Sequence, residues 1–309
     1  MAVKAESASL LPVRADKLIK QYFPDLTNRQ VEESLERGMV VSVRGKSLAK
    51  GAKVVPENVN VTKLREHLGA MRLGNPSLSI PIIHETPDYW VIDKPAGIAS
   101  HPISLLETHT VTHWAFAQCP QLSKEFPAIQ PTLSPHRLDT GTSGCLIVAR
   151  TANGFETWRK RFSSKEVTKR YLAWCWGNPK QKEFEVNYSL AHSLDDKRMA
   201  VPALGETYTV PVMSAQSLIR VLCTLEDGKL SLVEVICTSG VTHQVRVHLA
   251  SKGFPIVGDL IYDSAAVTRK LKPRYQQLRA VSLSFDNLRL EVPDAGYFDG
   301  SVLGGEHSI

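Results

Sequence analysis

Residues 136–144 read His-Arg-Leu-Asp-Thr-Gly-Thr-Ser-Gly, and the apolar run Cys-Leu-Ile-Val-Ala follows at 145–149. The glycines and hydroxyl side chains predict a loop, and the apolar run predicts a buried strand. A polar loop that enters a buried strand holds its side chains on a rigid scaffold and keeps them accessible. Asp139 is therefore a candidate reactive group, although an aspartate in a Gly- and Ser-rich loop is more often a turn or cap residue.

Two further segments carry side chains that suit the same site. Residues 239–248 read Ser-Gly-Val-Thr-His-Gln-Val-Arg-Val-His, and they predict the start of a helix with Arg246 on its first turns. Residues 165–171 read Lys-Glu-Val-Thr-Lys-Arg-Tyr, and they place Tyr171 at the start of a strand that follows a basic helix. An Asp, an Arg and a Tyr on separate elements can converge into an acid, a charge partner and a stacking surface.

Outside these segments, short β-rich runs outnumber helical stretches, and there is no Gly-rich βαβ fingerprint. This pattern favours an α+β fold with a central, largely antiparallel mixed sheet. The predicted strands are 89–93, 145–149, 170–176, 218–225, 230–238 and 281–285, and the predicted helices are 109–117, 153–163 and 243–251.

A Gly-, Pro- and Ser-rich stretch at 73–81 predicts a linker between a domain at 1–72 and a larger one at 82–309. Residues 1–77 hold 13 Lys and Arg against 8 Asp and Glu, so they carry +5 of the net charge of +6. Residues 15–22 and 27–37 predict helices, and residues 39–46 predict a strand and a tight turn. A small basic module beside a nearly neutral domain predicts attachment to a polyanion, although surplus charge also serves solubility alone.

The composition excludes several classes of protein. With 309 residues, 43% hydrophobic and 22% charged, the chain is expected to be soluble and globular, with about two domains. Its five cysteines lack metal-ligand or redox spacing, and it has no apolar run long enough for a signal or a membrane span, so we expect a cytoplasmic protein. His109 and His113 lack an HExxH pattern, and Ser143 lacks the second glycine of a nucleophile elbow, so neither a metal site nor a serine hydrolase is expected.

The three segments, together with Asp93-Lys94-Pro95-Ala96-Gly97 and His101-Pro102, resemble the signature blocks of the RluA-type pseudouridine synthases. Residues 14–17, 27–29 and 41–46 resemble the alpha-L RNA-binding domain. The resemblance implies a pseudouridine synthase catalytic fold with a small N-terminal α/β RNA-binding domain. It further implies an enzyme that isomerises uridine in ribosomal or transfer RNA without a cofactor or metal, acting as a monomer away from membranes.

Carried over by position, the resemblance makes Asp139 the catalytic aspartate, Arg246 its charge partner and Tyr171 the residue that stacks on uracil. Arg137 takes the role of filling the gap left by the flipped nucleotide, and Gly258-Asp259 with Tyr262 forms a late block that closes the site. Further substrate contacts are expected from the remaining polar positions of these blocks, namely His136, Thr142, Lys169, Thr242, His243 and Gln244.

The residue types fit this chemistry independently of the resemblance. Isomerisation needs an ionised carboxylate, and a planar guanidinium holds a carboxylate through two hydrogen bonds. Whether Asp139 attacks the sugar, adds to the ring or removes a sugar proton stays open. Thr140 and Val241 stand where the family usually has arginine. The alternatives are an RNA-binding or assembly protein that has lost turnover, and a hydrolase that releases free uracil or a cleaved ester.

Overall fold

A computed structural model describes residues 11–127, 132–193, 198–202, 212–225, 228–266, 268 and 271–297. The chain forms two compact units, one made of Met1–Ser79 with His101–Thr132 and the other of Ile80–Ser100 with Leu133–Ile309. The boundary at Ile80 lies inside the predicted linker, but residues 101–132 join the first unit rather than the larger domain. The first unit therefore consists of two separated chain segments, which a division at one linker does not describe.

The elements of the first unit are short and follow the sequence expectation in its first half. Thr27 caps the second helix, because its side chain accepts from the backbone N–H of Gln30 and Gln30 bonds back to the Thr27 backbone. Gly45 has φ +77°, as the tight turn requires. The elements are β1 (Val13–Arg14), α1 (Ala15–Tyr22), α2 (Asn28–Glu36), β2 (Val41–Ser42), β3 (Lys53–Val54), a 3₁₀ turn (Pro56–Asn58), β4 (Val59–Asn60), α3 (Thr62–Met71), α4 (Val111–Gln118) and α5 (Leu122–Glu125).

Residues 101–132 belong to this unit because they share its core and its hydrogen bonds. Leu105 is fully buried in the apolar cluster formed by the helices of the N-terminal segment. The Glu33 carboxylate accepts from the Ser104 hydroxyl at 2.7 Å and from the Leu105 backbone N–H at 2.9 Å. The Arg72 guanidinium donates to backbone carbonyls of residues 123, 126 and 127. No local sequence pattern predicts these hydrogen bonds, because they join positions 51 to 72 residues apart.

The second unit is built on a mixed sheet. In the described part of the chain the sheet has nine strands in the order β5-β6-β7-β14-β8-β13-β12-β9, with β15 paired to β14. The pairing of β14 with β7 is parallel and the other pairings are antiparallel, as an α+β fold predicts. The elements are β5 (Ile82–Glu85), β6 (Tyr89–Lys94), β7 (Ser143–Ala149), α6 (Ala152–Ser163), β8 (Thr168–Trp176), β9 (Glu183–Val186), β10 (Ala191–His192), β11 (Met199–Ala200), β12 (Ser217–Leu225), β13 (Leu230–Cys237), α7 (Gln244–Ser251), β14 (Leu278–Phe285) and β15 (Leu288–Glu291).

Each strand predicted from an apolar run is present. The elements that were not predicted are the helices α3 and α5 and the strands β1, β3, β4, β5, β9, β10, β11 and β15. All four residues of β5 are exposed, so this edge strand carries no apolar alternation. Helix α3 begins after Val61 without a side-chain cap. The strands and helices that the sequence predicted in the second unit are those with large buried side chains, such as Trp174 on β8 and Trp158 on α6. No helix in the described ranges is long and apolar enough to cross a membrane.

Two strands of the sheet, β7 and β8, and the helix α7 bring the predicted site segments together. The loop that holds Asp139 leads directly into β7, and Tyr171 lies on β8, where it is opposite Val235 of β13 and Ala280 of β14. Helix α7 follows β13 and buries Val245 and Leu249 against the same strands. Because β8 lies between β14 and β13, the loop before β7 and the start of α7 converge on Tyr171.

Candidate active site

The backbone around Asp139 is held on both sides of the residue. The Ser100 hydroxyl donates to the Leu138 carbonyl at 2.9 Å and accepts from the Leu138 N–H at 3.2 Å. The Thr142 N–H donates to the Asp139 carbonyl at 3.0 Å, which closes a turn after the aspartate. The Asp139 side chain itself is 19% exposed. The loop is therefore fixed while its carboxylate stays reachable.

Arg246 bridges two aspartates. Its Nη1 donates to Oδ2 of Asp139 at 2.9 Å, while Nε and Nη2 donate to the two oxygens of Asp259 at 2.8 and 2.9 Å. Burial lowers the pKa of Arg246, but the hydrogen bonds and charges of Asp259 and Asp139 outweigh that effect and the net shift is upward. The guanidinium is thus a permanent, oriented cation beside Asp139.

His243 approaches Asp139 from the start of α7. It lies at the N-cap with φ +56°, in the left-handed region, and its Nε2 is 3.7 Å from Oδ2 of Asp139. Its Nδ1 is 2.8 Å from the hydroxyl of Tyr262. Burial lowers the pKa of His243, and the charges of Arg246 and Arg137 lower it further while Asp139 and Asp259 oppose them. A neutral imidazole therefore faces the carboxylate at neutral pH.

Asp139, Arg246 and His243 line a cavity of about 540 Å³. Its size is in the range of small-molecule and nucleotide pockets. Tyr171 is half-buried in its wall, and burial raises the pKa of the phenol, so the ring is a neutral flat surface. Arg137 is exposed at the cavity and Thr242 is half-buried in its lining. One cavity is thus lined by five of the predicted site residues, namely Asp139, Arg246, Tyr171, Arg137 and Thr242.

Three other predicted substrate contacts line the cavity with their polar atoms already bonded within the protein. The His136 ring accepts from the Ile147 N–H at 3.0 Å, and burial with the charge of Lys169 lowers its pKa to about 3. Thr142 accepts from the side chain of Gln276 at 2.9 Å. The Gln244 amide donates to the Gln216 carbonyl at 2.9 Å and to the Ser217 hydroxyl at 3.1 Å. In this arrangement they shape the walls.

The basic run at 159–170 separates into different environments. Lys169 is buried, donates to the Thr238 carbonyl at 2.7 Å, and has its pKa lowered by burial. Arg170 pairs with Glu234, and the Arg161 guanidinium stacks 4.1 Å from the Phe285 ring centroid. Arg159, Lys160 and Lys165 remain exposed, and the first and last of these line the cavity. This run is therefore not one solvated face.

Lys94 and Ser100 were not assigned a role from sequence. Lys94 is fully buried, and its ammonium donates to the carbonyls of Pro95 at 3.0 Å, Ile98 at 2.7 Å and Thr140 at 3.4 Å. Burial lowers its pKa to about 7, against the opposing charge of Asp139. Lys94 belongs to the block Asp93-Lys94-Pro95-Ala96-Gly97 quoted above and follows an apolar strand, but neither signal assigned it a role, and a single serine gives no signal.

The residues weighed as metal ligands or alternative nucleophiles lie elsewhere. His113 is buried on α4, with Nδ1 2.7 Å from the Thr110 hydroxyl, and His109 is exposed before the helix. The five cysteines form no disulfide. Within the described ranges no three His, Cys, Asp or Glu side chains are grouped to hold a metal. Ser143 is the first residue of β7 and accepts from Arg279 at 3.4 Å.

Comparison with known proteins agrees with this geometry. The sequence profile of the family described as RNA pseudouridylate synthase matches residues 88–251, which include Asp139, Tyr171 and Arg246. An uncharacterized RNA pseudouridine synthase of Chlorobaculum parvum is 30% identical over 82% of this chain and 76% of its own length. The dual-specificity RNA pseudouridine synthase RluA of Vibrio parahaemolyticus is 30% identical over 66% of this chain and 76% of its own.

A solved structure extends the agreement to three dimensions. The human protein RNA pseudouridylate synthase domain containing 1 is 26% identical, covers 71% of this chain and 86% of its own, and superimposes with a TM-score of 0.54. The mixed sheet, the order of the blocks and the profile match over half of the chain point to the same ancestry. The chain belongs to the RNA pseudouridylate synthase family.

Proposed function

We propose that this protein converts uridine in structured ribosomal or transfer RNA into pseudouridine, with Asp139 as the catalytic carboxylate. The observation that carries the proposal is the contact between Asp139 and Arg246, 2.9 Å long, at a cavity that Tyr171 also lines. A guanidinium that donates to a partly exposed carboxylate fixes the direction of that carboxylate, which a nucleophile or base requires.

The reaction redistributes bonds within one nucleotide. The bond between C1′ of the ribose and N1 of uracil breaks, the base rotates, and a bond forms between C1′ and C5. The C5 proton leaves and N1 carries a proton in the product, so no redox partner or second substrate is consumed. The carboxylate of Asp139 can act in these bond changes as a nucleophile or as a base.

A stacked uridine has to leave its helix before Asp139 can reach the sugar, at a cost of a few kcal/mol. Tyr171 offers a neutral aromatic face, and base stacking on such a face recovers about 1–3 kcal/mol. Arg137 is exposed only two residues before Asp139. This position suits a side chain that fills the space left by the flipped nucleotide.

We propose that the RNA is further held by the basic first unit and by Lys165 at the cavity. Exposed cations with spare charge bind phosphates without reading sequence. The dual specificity in the name of the Vibrio relative supports structured RNA of more than one class as the substrate. We further propose that the enzyme acts as a monomer in the cytoplasm, a reducing compartment that its five free cysteines suit.

The test uses RNA from a strain that lacks the gene. Bulk RNA is incubated with the wild-type protein, with Asp139→Ala, or with Asp139→Asn, which removes the charge and keeps the shape, and pseudouridines are then mapped. We expect specific sites to be restored by the wild type alone. No restored site would contradict the proposal and favour an RNA-binding protein without turnover. The same sites restored by both variants would show that the reaction does not need the Asp139 carboxylate. Release of free uracil would instead indicate a hydrolase.

A further inference from the structure

Tyr262 closes a short chain of polar contacts that ends at Asp139. Its hydroxyl oxygen accepts from the Met199 backbone N–H at 3.1 Å and lies 2.8 Å from Nδ1 of His243. The opposite ring nitrogen of His243, Nε2, faces Oδ2 of Asp139 at 3.7 Å. The chemistry proposed above gives Tyr262 no role. Asp139, Met199, His243 and Tyr262 all belong to the second unit.

The direction of these contacts determines where the imidazole proton lies. Among the described residues, the polar atoms within hydrogen-bond distance of this oxygen are the Met199 N–H, which can only donate, and Nδ1 of His243, so the one phenol proton is directed to Nδ1. Nδ1 can accept only when the imidazole carries its proton on Nε2. We propose that Tyr262 is a positioning residue, whose hydroxyl donates to Nδ1 of His243 and keeps the imidazole proton on Nε2, facing Asp139. This inference rests on the proposed function and adds two residues to its machinery.

The arrangement has a consequence for the carboxylate. Arg246 Nη1 and His243 Nε2 both approach Oδ2 of Asp139, and in the described ranges no hydrogen bond to Oδ1 is found. A movement of about 0.8 Å brings Nε2 to hydrogen-bond distance, and such contacts commonly shorten when substrate binds. The two donors hold Oδ2, so Oδ1 is the oxygen that meets the substrate.

The surroundings of His243 restrict the ring to this role. It packs edge-on against Tyr262, with ring centroids 5.6 Å apart and an interplanar angle of 80°, while the Arg246 guanidinium lies 5.0 Å from the Tyr262 centroid. The charged groups that face the imidazole are Asp139, Asp259, Arg246 and Arg137, and together with burial they leave it neutral. For a neutral ring the choice of tautomer decides whether Asp139 meets a donor or a lone pair.

The first experiment reads the tautomer directly and does not depend on activity. The ¹⁵N NMR spectrum of histidine-labelled wild-type protein at pH 7 is recorded, and the His243 signals are identified by their loss in His243→Gln. We expect a protonated Nε2 and an unprotonated, hydrogen-bonded Nδ1. In Tyr262→Phe, the Nδ1 resonance should shift and the Nδ1–H tautomer should appear. A wild-type His243 that carries its proton on Nδ1 would overturn the inference.

The second experiment is a double-mutant cycle on the single-turnover rate, with enzyme in excess over a transcript that carries a mapped uridine. Gln at position 243 keeps an amide N–H near the place of Nε2 and needs no tautomer. Tyr262→Phe should lower the rate about 10-fold in the wild type, the loss of one hydrogen bond to this network. In the His243→Gln background the same change should alter the rate less than about 2-fold. If the rate losses of the two single variants multiply in the double variant, or if Tyr262→Phe alone leaves the rate unchanged, the inference is overturned.

Two controls separate this inference from the proposed function. Tyr188→Phe also deletes a phenol oxygen, one that accepts from Lys252 outside the cavity, and it should leave the rate unchanged. RNA binding by Tyr262→Phe should match the wild type, because the hydroxyl acts through His243. If the wild type forms no pseudouridine, the proposed function fails while the NMR result still decides the tautomer. If pseudouridine forms and the tautomer is wrong, only the inference fails.

Discussion

His136 and Asp139 show how neighbouring polar residues of one loop take different roles. The imidazole of His136 accepts from the Ile147 N–H and stacks on Phe162 with ring centroids 4.3 Å apart. The Asp139 carboxylate, three residues later, receives one donor of Arg246, whose other two donors bind Asp259. A lysine at position 246 would supply one ammonium for two carboxylates, whereas the planar fork serves both. His136 anchors the loop, while the Asp139 carboxylate stays partly exposed at the cavity.

The neutral His136 predicts a dependence of stability on pH. Its pKa is lowered to about 3 in the folded state, by burial and then by Lys169, from 6.5. Between these values the unfolded chain binds the proton and the folded protein does not, so stability falls as pH falls from 6.5 and levels below about 3. His136→Gln keeps an acceptor for Ile147 but does not titrate. Below pH 6.5 the free energy of unfolding of the wild type should fall by up to about 1.4 kcal/mol more per pH unit than that of this variant.

The measurement is urea unfolding of both proteins from pH 7.0 to 4.5. Comparing the two removes the contributions of His113 and of the carboxylates, which they share. A constant difference in the free energy of unfolding across this range would show that His136 is protonated in the folded protein as well, and would refute its role as an acceptor.

At the scale of elements, the parallel pairing of β7 with β14 positions the site. Strand β7 runs parallel to β14 through Arg279↔Ser143 and Ala280↔Gly144, while β8 pairs with the other side of β14. This pairing places the loop before β7 beside Tyr171. Gly144 has φ +111°, and a Cβ at that position would lie 2.0 Å from the Ala280 carbonyl oxygen. The close approach of β7 to β14 therefore requires glycine.

Gly144→Ala should destabilise the protein by at least about 3 kcal/mol, since it adds a backbone strain to a steric overlap with main-chain atoms that cannot move independently. Gly51→Ala is the matched control, because a Cβ there meets no atom within 4 Å and the backbone is outside the left-handed region. Thermal and urea unfolding measure the stability of both variants. A Gly144→Ala variant as stable as Gly51→Ala would refute the close strand approach.

For the whole molecule, the charge is distributed unevenly between the segments of the chain. The N-terminal segment carries most of the excess positive charge, and Arg44 and Lys46 are exposed on its tight turn. Residues 101–132 complete the same unit through Leu105 and the contacts of Glu33. Deletion of the N-terminal segment would expose Leu105, so charge substitutions test RNA binding more cleanly than truncation.

Replacing Arg44 and Lys46 together with glutamine should weaken binding to a structured RNA and reduce the slope of log K against log salt concentration by about 1–2, since two phosphate contacts and their released counterions are lost. Fluorescence anisotropy on a transfer RNA transcript at several salt concentrations measures this. Arg289→Gln removes an exposed arginine that is already paired with Glu291 and should leave the slope unchanged. Equal slopes for all three proteins would exclude the turn from the RNA interface.

The α+β class, the buried strands and the three blocks that hold Asp139, Tyr171 and Arg246 can be predicted from the sequence, because apolar periodicity and dense local motifs are encoded by neighbouring residues. The tertiary structure sets the contacts between distant residues. It gave residues 101–132 to the first unit, turned the polar atoms of His136, Thr142 and Gln244 inward, and joined Tyr262 to His243. These outcomes depend on side chains that meet only after the strands pair, so no local pattern contains them.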